Sequence, residues 1–230
     1  MRMSYAHGIY LLVFSSMVNR GGSFVLNFTK IAYEYIEEQN KTEKGKINSW
    51  GFTKEYAFWK ENGSAEIPPV TAKVAWMIYG DCHPHTRREI PKMNCSGHFS
   101  WAFHEGIVCP FHLQYNTTLP IWQRGPEPKN FTLELDRYTG EAVVFTWGHS
   151  HDAKLFQAKC HFVAKISFTG YLVYNLTDPG ERNSTWVTVN ITKFANNSEE
   201  LEVKRGKLTF YEWGVYFERM WCASDQNKVK

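Results

Sequence analysis

Apolar side chains occupy every second position from residue 156 to residue 168, and this run constrains the fold more than any other feature of the sequence. The residues are Phe156, Ala158, Cys160, Phe162, Ala164, Ile166 and Phe168. Successive side chains of a β-strand point to opposite faces, so the spacing predicts a long strand with one buried face. Such a strand needs partners, and the chain must therefore build a sheet around it.

Several other segments have strand character. Residues 49–59, 70–79, 107–115, 171–174, 186–191 and 207–221 are predicted strands, the last bending at Gly214. Residues 131–135 and 142–147 flank a turn at 136–140 and predict a hairpin. Residues 80–106 contain cysteines, histidines and prolines and are expected to form a loop.

One amphipathic helix is predicted at residues 24–39. The apolar residues there are Phe24, Val25, Phe28, Ile31, Ala32, Tyr35 and Ile36, which share one helical face. Ser23 would be a good N-cap, but a signal peptide cleaved before Phe24 would remove it, so either the cut or the cap lies a few residues away. The expected fold is therefore α+β, with an N-terminal amphipathic helix packed on antiparallel β-sheets, mainly a β sandwich or barrel.

The chain is expected to be secreted as one domain. Residues 1–23 have a basic start, an apolar run and small residues, as in a signal peptide cleaved before Phe24. Residues 24–222 then form a single β-rich domain, and residues 223–230 a flexible tail. The proline-containing segment 120–129 is the best candidate for an internal boundary. No other stretch approaches the roughly twenty apolar residues that a membrane span needs.

Ten Asn-x-Ser/Thr sequons support an extracellular location. They begin at Asn27, Asn40, Asn62, Asn94, Asn116, Asn130, Asn175, Asn183, Asn190 and Asn196. Chance predicts roughly two in a chain of this composition. In residues 185–192, Val187 and Val189 alternate with Thr188 and Asn190, so a glycan on Asn190 would point into water.

Five cysteines fit the same oxidising compartment. We expect two disulfides, Cys95 with Cys109 and Cys160 with Cys222, which leaves Cys82 free or intermolecular. The sequence does not settle the pairing, since five cysteines allow fifteen such arrangements.

The charges of the mature chain are nearly balanced. Removing residues 1–23 removes two arginines and no acids, so 24 basic residues face 23 acids, a net charge of +1. Nucleic acids and anionic membranes bind concentrated basic surfaces. The balance therefore argues against both as partners.

No motif supports catalysis. His149, Ser150 and Asp152 are neighbours on one segment and cannot converge into a triad, because adjacent side chains point to opposite faces. The sequence has no Gly-x-Ser-x-Gly, phosphate loop or His-Glu-x-x-His motif. The histidines near Cys82 and Cys109 do not match a zinc spacing. We expect no enzyme activity, no cofactor and no metal.

Binding residues are instead expected where sequons are absent. None occurs between Asn130 and Asn175 or after Asn196. Aromatic and loop-tip residues of such a bare surface are good anchors for a partner. The candidates are Trp147, His149, His151, Tyr211 and Tyr216. Trp213 and Phe217 are assigned to the core.

Two resemblances suggest a class of protein. A helix followed by strands, with Cys82, Cys95 and Cys109, resembles a cystatin or cathelicidin-type unit over residues 24–118, without the inhibitory Gln-x-Val-x-Gly hairpin. The plan of signal, helix, many strands, few cysteines and many sequons resembles tick salivary glycoproteins, either the immunosuppressants or the lipocalins.

These resemblances imply a secreted glycoprotein that binds and modulates a host immune or haemostatic protein. The alternative is a lipocalin-type carrier of a small ligand such as histamine or an eicosanoid. The sequence leaves open the partner's identity, the occupied sequons and the oligomeric state.

Overall fold

The computed structural model describes most of the region after the expected signal peptide. It covers residues 24–62, 65–83, 95–118, 130–137, 139–145, 153–180 and 183–223. The expected signal peptide at 1–23, the connection at 120–129 and residues 224–230 of the expected tail lie outside these ranges.

Strands dominate the described residues. They are β1 (Phe24–Asn27), β2 (Lys46–Gly51), β3 (Thr71–His83), β4 (Cys95–Val108), β5 (Gln114–Thr118), β6 (Asn130–Glu134), β7 (Thr139–Phe145), β8 (Ala153–Thr169), β9 (Tyr171–Thr177), β10 (Ser184–Asn190), β11 (Glu202–Lys204) and β12 (Lys207–Ala223). The helices are α1 (Phe28–Thr42), α2 (Ala57–Asn62) and a 3₁₀ helix (Ile191–Asn196). Within these described segments, no helix combines the length and hydropathy required to cross a membrane.

The largest sheet, called the long sheet below, has seven strands. Its order is β1-β4-β12-β8-β3, with β7 paired to β4 and β11 paired to β12. Strand β8 contains the predicted period-two run, and β12 pairs with it from Leu208 opposite Phe168 to Ala223 opposite Ala153. A second sheet has the order β10-β9-β2, and β5 pairs with β6 separately.

The expected α+β fold class is wrong. The described chain is mainly β, and its helices are minor elements beside twelve strands. The long sheet is mixed, because β1 runs parallel to β4 while the other pairs are antiparallel. The described strands form open sheets and no closed barrel. A lipocalin barrel is therefore excluded for these residues.

One face of the long sheet, the inner face, carries the core. Phe162 and Phe168 on β8 and Phe210 on β12 are fully buried there. Phe28 from α1 stacks on Phe168 at 4.5 Å between ring centroids and lies 5.8 Å from the ring of Phe194 in the 3₁₀ helix. Each such side chain contributes about 1.5–3 kcal/mol by leaving water.

The helix begins later than the pattern predicted. Residues 24–27 form β1, and the N-cap of α1 is Asn27, whose Oδ1 accepts a hydrogen bond from the Lys30 N–H at 3.0 Å. The predicted apolar face is correct from Phe28 to Ile36, since Phe28, Ile31, Ala32 and Ile36 are buried.

Three local predictions are wrong, and the first two fail because the strands pair with distant partners. Strand β6 pairs with β5 and β7 with β4, so residues 131–147 form no hairpin with each other. The loop expected at 80–106 contains most of β4, which pairs with β12. The strand expected at 49–59 ends at Gly51, and α2 follows. Strands from both sides of segment 120–129 share the long sheet.

The expected disulfides are also wrong. Cys109 is a free thiol, so it forms no bond with Cys95. Cys160 is disulfide-bonded, but its partner cannot be Cys222. Cys222 lies opposite Lys154, six residues along β8 from Cys160, which is roughly 20 Å. Bonded cysteines have Cα atoms no more than about 7 Å apart. In the backbone register, Cys82 lies opposite Cys160.

Candidate functional site

The sequon asparagines lie on the surface. Among those whose side chains are described, Asn27, Asn40, Asn116, Asn183, Asn190 and Asn196 are exposed. Asn175 is half-buried in the smaller sheet, where its Nδ2 donates to Ser184 Oγ at 2.9 Å. The alternation predicted for residues 185–192 is correct, because Thr188 and Asn190 are exposed while Ile191 is buried.

The long sheet contrasts with this surface. Its four long strands β3, β4, β8 and β12 contain no asparagine at all. N-glycans require an asparagine acceptor, so none can be attached to these strands. The part of the outer face, the face opposite the core, that these four strands form therefore carries no strand-borne sugar. Among the long sheet's described strands, the sequon nearest to it is Asn27 on the edge strand β1.

Five aromatic residues form a stripe on the outer face. The register places Tyr211, Trp213, Phe217 and Trp221 of β12 on this face, and Trp76 of β3 joins them across Lys165 of β8. All five side chains are partly or well exposed, and Trp221 is 38% exposed. Tyr211 and Trp221 are ten residues apart, so this aromatic stripe is roughly 33 Å long.

A first group of cations surrounds Tyr211. The Nζ atoms of Lys204 and Lys165 lie 4.9 and 6.0 Å from the centroid of its ring. Lys204 Nζ also donates to Tyr211 Oη at 2.9 Å and pairs with Glu202 at 2.5 Å. The ring of Trp76 lies 5.9 Å away. Burial raises the pKa of Tyr211, so its hydroxyl stays protonated.

A second group surrounds Phe217. Lys159 Nζ lies 5.7 Å from the ring centroid, and Arg219 Cζ lies 5.6 Å from it. Cations at this distance from an aromatic face gain about 0.5–1 kcal/mol at exposed sites. The rings therefore hold two groups of cationic side chains along the aromatic stripe, one at Tyr211 and one at Phe217.

The middle of the outer face is apolar. Trp213 lies opposite Val163, and Val163 lies opposite Ile78 on β3. Val163 and Val215 are only 2% and 3% exposed. The face thus has a mainly apolar centre between two groups of cations, which resembles the apolar core and polar rim of protein interfaces.

The predicted binding residues do not share one location in the structure. Tyr211 lies on the outer face, as a binding residue should. Tyr216 is only 3% exposed and belongs to the inner face, where its ring lies 5.4 Å from that of Tyr79, so it is core. Trp147, His149 and His151 lie outside the described residues.

Trp213 and Phe217 were assigned to the core, yet they lie on the outer face and are half-exposed. Trp76 and the cations were missed as well. Trp213, Phe217 and Arg219 could have been found from alternation along β12, because each lies an even number of residues from Tyr211, whereas Tyr216 lies five residues away. Trp76 and the lysines lie on other strands, whose register the sequence alone does not give.

Two glutamates of β12, Glu212 and Glu218, are buried on the inner face. Glu212 is fully buried, and burial raises its pKa well above the usual range, partly offset by the Ile107 backbone N–H. Glu218 is 4% exposed, and burial raises its pKa to about 8. The two lie six residues apart on one strand, roughly 20 Å. Paired catalytic carboxyls of glycosidases lie within about 10 Å.

Neither a metal centre nor a barrel interior emerges from the described residues. No three of their histidine, cysteine and acidic side chains come together as metal ligands. A small cleft on the inner face is lined mainly by aromatic rings, namely Tyr79, Phe99, Trp101, Phe131 and Tyr216. It lies between open sheets rather than inside a barrel.

Fold and site together define a β-rich protein with an exposed aromatic and cationic sheet face. No family model matches the chain, and no curated protein matches it.

Solved structures with some similarity are bacterial. A non-toxic crystal protein from Bacillus thuringiensis has 12% identity and a TM-score of 0.47, over 86% of this chain and 94% of that one. The Cry23Aa1 and Cry37Aa1 binary complex has 10% identity and a TM-score of 0.38, over 85% of each chain. The Mpp75Aa1.1 β-pore-forming protein from Brevibacillus laterosporus has 8% identity and a TM-score of 0.23, over 76% and 67%. Similarities at this level carry no conclusion about fold or function.

Proposed function

We propose that this chain is a secreted, N-glycosylated protein that binds another extracellular protein through the outer face of the long sheet. It acts by binding and not by catalysis. The observation that carries the proposal is the aromatic stripe on strands that contain no asparagine. Ten sequons elsewhere in the chain support a surface that is otherwise shielded by sugar.

The chemistry of the stripe supports a protein partner. Tryptophan, tyrosine and arginine dominate the binding energy of protein interfaces, and single truncations there cost 2 kcal/mol or more. A monomer rarely exposes a contiguous apolar patch without a binding role. Four strands at about 4.8 Å spacing over roughly 33 Å cover an area on the order of 600 Å², near the size of one side of a standard interface.

The partner class rests on the resemblance to tick salivary glycoproteins. We propose a host extracellular or cell-surface protein of the immune or haemostatic system. Dense glycosylation supports an existence in a foreign or circulating fluid, since it keeps a protein soluble and shielded.

The test is affinity capture with glycosylated protein and two variants. Plasma and leukocyte surface proteins are captured and identified by mass spectrometry, and the affinity of each is then measured by interferometry. The stripe variant combines Tyr211→Ala, Phe217→Ala and Trp221→Ala. The control is Tyr33→Ala, which removes an aromatic ring that is 53% exposed on α1.

We expect a partner that binds the wild-type protein and the Tyr33→Ala control equally and the stripe variant at least 100-fold more weakly, with the variant's circular dichroism unchanged. The proposal is wrong if no protein is captured, or if every captured protein binds a folded stripe variant as tightly as the wild type.

A further inference from the structure

The charges of the outer face are strongly uneven. Among the described side chains, six cations lie on this face: Lys73, Lys159, Lys165, Lys204, Lys207 and Arg219. Two acids share it, Glu105 opposite Trp213 and Glu202 on β11.

This imbalance is hidden in the whole-chain charge. Residues 24–230 carry 24 basic residues and 23 acids. The six cations and two acids give the described side chains of the outer face a net charge of +4, whereas residues 24–230 together carry only +1. The near-neutral total therefore does not exclude a basic binding surface.

The cations also have a defined spacing. Lys165 and Lys204 lie at Tyr211, whereas Lys159 and Arg219 lie at Phe217. Six residues of β8 separate Lys165 from Lys159, which is roughly 20 Å. Between them the face is mainly apolar, with Trp213 and Val163 at its centre. His161 lies beside Val215, and Glu105 lies at the edge next to Trp213.

We infer that the partner is an acidic protein whose contact surface has an apolar centre flanked by two groups of carboxylates roughly 20 Å apart. This inference rests on the proposed function and specifies its partner. A nucleic acid carries a charge about every 1.7 Å along its axis, so it would place anions over the mainly apolar centre. A protein can match both the centre and the ends.

Charge reversal tests the inference. The variant combines Lys159→Glu and Lys165→Glu, one lysine from each end. The matched control combines Lys41→Glu and Lys44→Glu, which change the net charge equally at exposed positions outside the long sheet. Immobilised poly-L-glutamate and immobilised heparin are the probes, at several salt concentrations and with circular dichroism as the folding check.

Poly-L-glutamate is expected to bind the wild type and the control similarly and the charge-reversed variant at least tenfold more weakly, with affinity falling as salt rises. Equal binding of all three proteins overturns the inference. Tighter retention on heparin than on poly-L-glutamate, lost on charge reversal, also overturns it, because the occupant is then a sulfated polysaccharide.

Binding measurements with the captured partner test this inference separately from the proposed function. We expect its association rate to fall at least tenfold on charge reversal and to fall with rising salt. If the stripe variant loses the partner but charge reversal does not change its binding, the inference of an acidic partner is wrong and the proposed binding function stands. A partner insensitive to the stripe variant contradicts the function itself.

Discussion

A Cβ atom on Gly170 would lie 2.3 Å from the carbonyl oxygen of Pro69. Gly170 is where the chain passes from β8 in the long sheet to β9 in the smaller sheet, and its φ is +115°. The Tyr171 N–H donates to Pro68 O at 3.1 Å and fixes this approach. The passage between the two sheets therefore requires glycine, both for its φ and for its lack of a side chain.

Gly170→Ala is expected to destabilise the protein by about 2–5 kcal/mol, because positive φ costs about 1–2 kcal/mol and overpacking adds about 1–3. Gly206→Ala is the control, since its φ is +72° but no atom lies within 4 Å of an added Cβ. That change should cost only about 1–2 kcal/mol, the cost of positive φ. Urea unfolding measures both, and equal losses would contradict a steric role for Pro69.

Asn27 has two roles that different substitutions can separate. Its Oδ1 caps α1, which leaves Nδ2 for a glycan. Asn27→Asp and Asn27→Ala both remove the sequon, but only Asp keeps the capping oxygen. We expect Ala to be less stable than Asp by about 1 kcal/mol. Thermal unfolding of both variants measures the difference, and mass spectrometry should show the loss of one glycan from each. Equal stability would mean that the cap contributes nothing.

The parts of the fold that could be predicted from the sequence are those with a regular local period. Strand β8 and the buried side of α1 follow directly from spacing. Strand β4 was missed although Phe99, Trp101 and Phe103 alternate and are buried. The partners of β6 and β7 could not be predicted, because register between distant strands leaves no local pattern.

The candidate site was only partly predictable, because β12 buries acidic side chains and exposes aromatic ones, the reverse of the usual distribution. Glu212 and Glu218 point to the core, whereas Trp213 and Phe217 lie on the outer face. A rule that buries aromatic residues and exposes acids assigns all four incorrectly. Tyr211 was identified from the absence of nearby sequons, which is independent of strand parity.

The Cys109 thiol should react slowly with alkylating reagents in the native protein. Burial raises its pKa to about 11, and its Sγ donates to Phe111 O at 3.5 Å. At pH 8 about one thiol in a thousand is then ionised, against about a quarter for an unperturbed cysteine. Alkylation by iodoacetamide at pH 8 is expected to be at least tenfold slower in the native protein than in about 6 M guanidinium, which unfolds the chain and exposes the thiol.

Cys109→Ser is the control for that experiment and should remove the label that peptide mass spectrometry assigns to position 109. Labelling that persists in this variant would reveal a second reactive cysteine. Equal rates with and without denaturant would contradict the burial of the Cys109 thiol.

Glu218 should make stability depend on pH. Its pKa of about 8 in the folded protein exceeds its value of 4.5 in the unfolded chain, so the folded state holds the proton more tightly. Stability from this group is therefore fully present below pH 4.5 and is lost as pH rises towards 8. The loss is up to about 5 kcal/mol, at 1.36 kcal/mol for each pKa unit.

Glu218→Gln removes the titration but keeps the shape of the side chain. Relative to the wild type, it should gain stability progressively between pH 4.5 and 8 and remain level above that range. Urea unfolding from pH 4 to pH 9 measures this difference, and Glu37→Gln on the exposed side of α1 is the matched control. A constant difference between Glu218→Gln and the wild type across this range would show that Glu218 is ionised in the folded core, stabilised by a cation or solvent that reaches the inner face of β12.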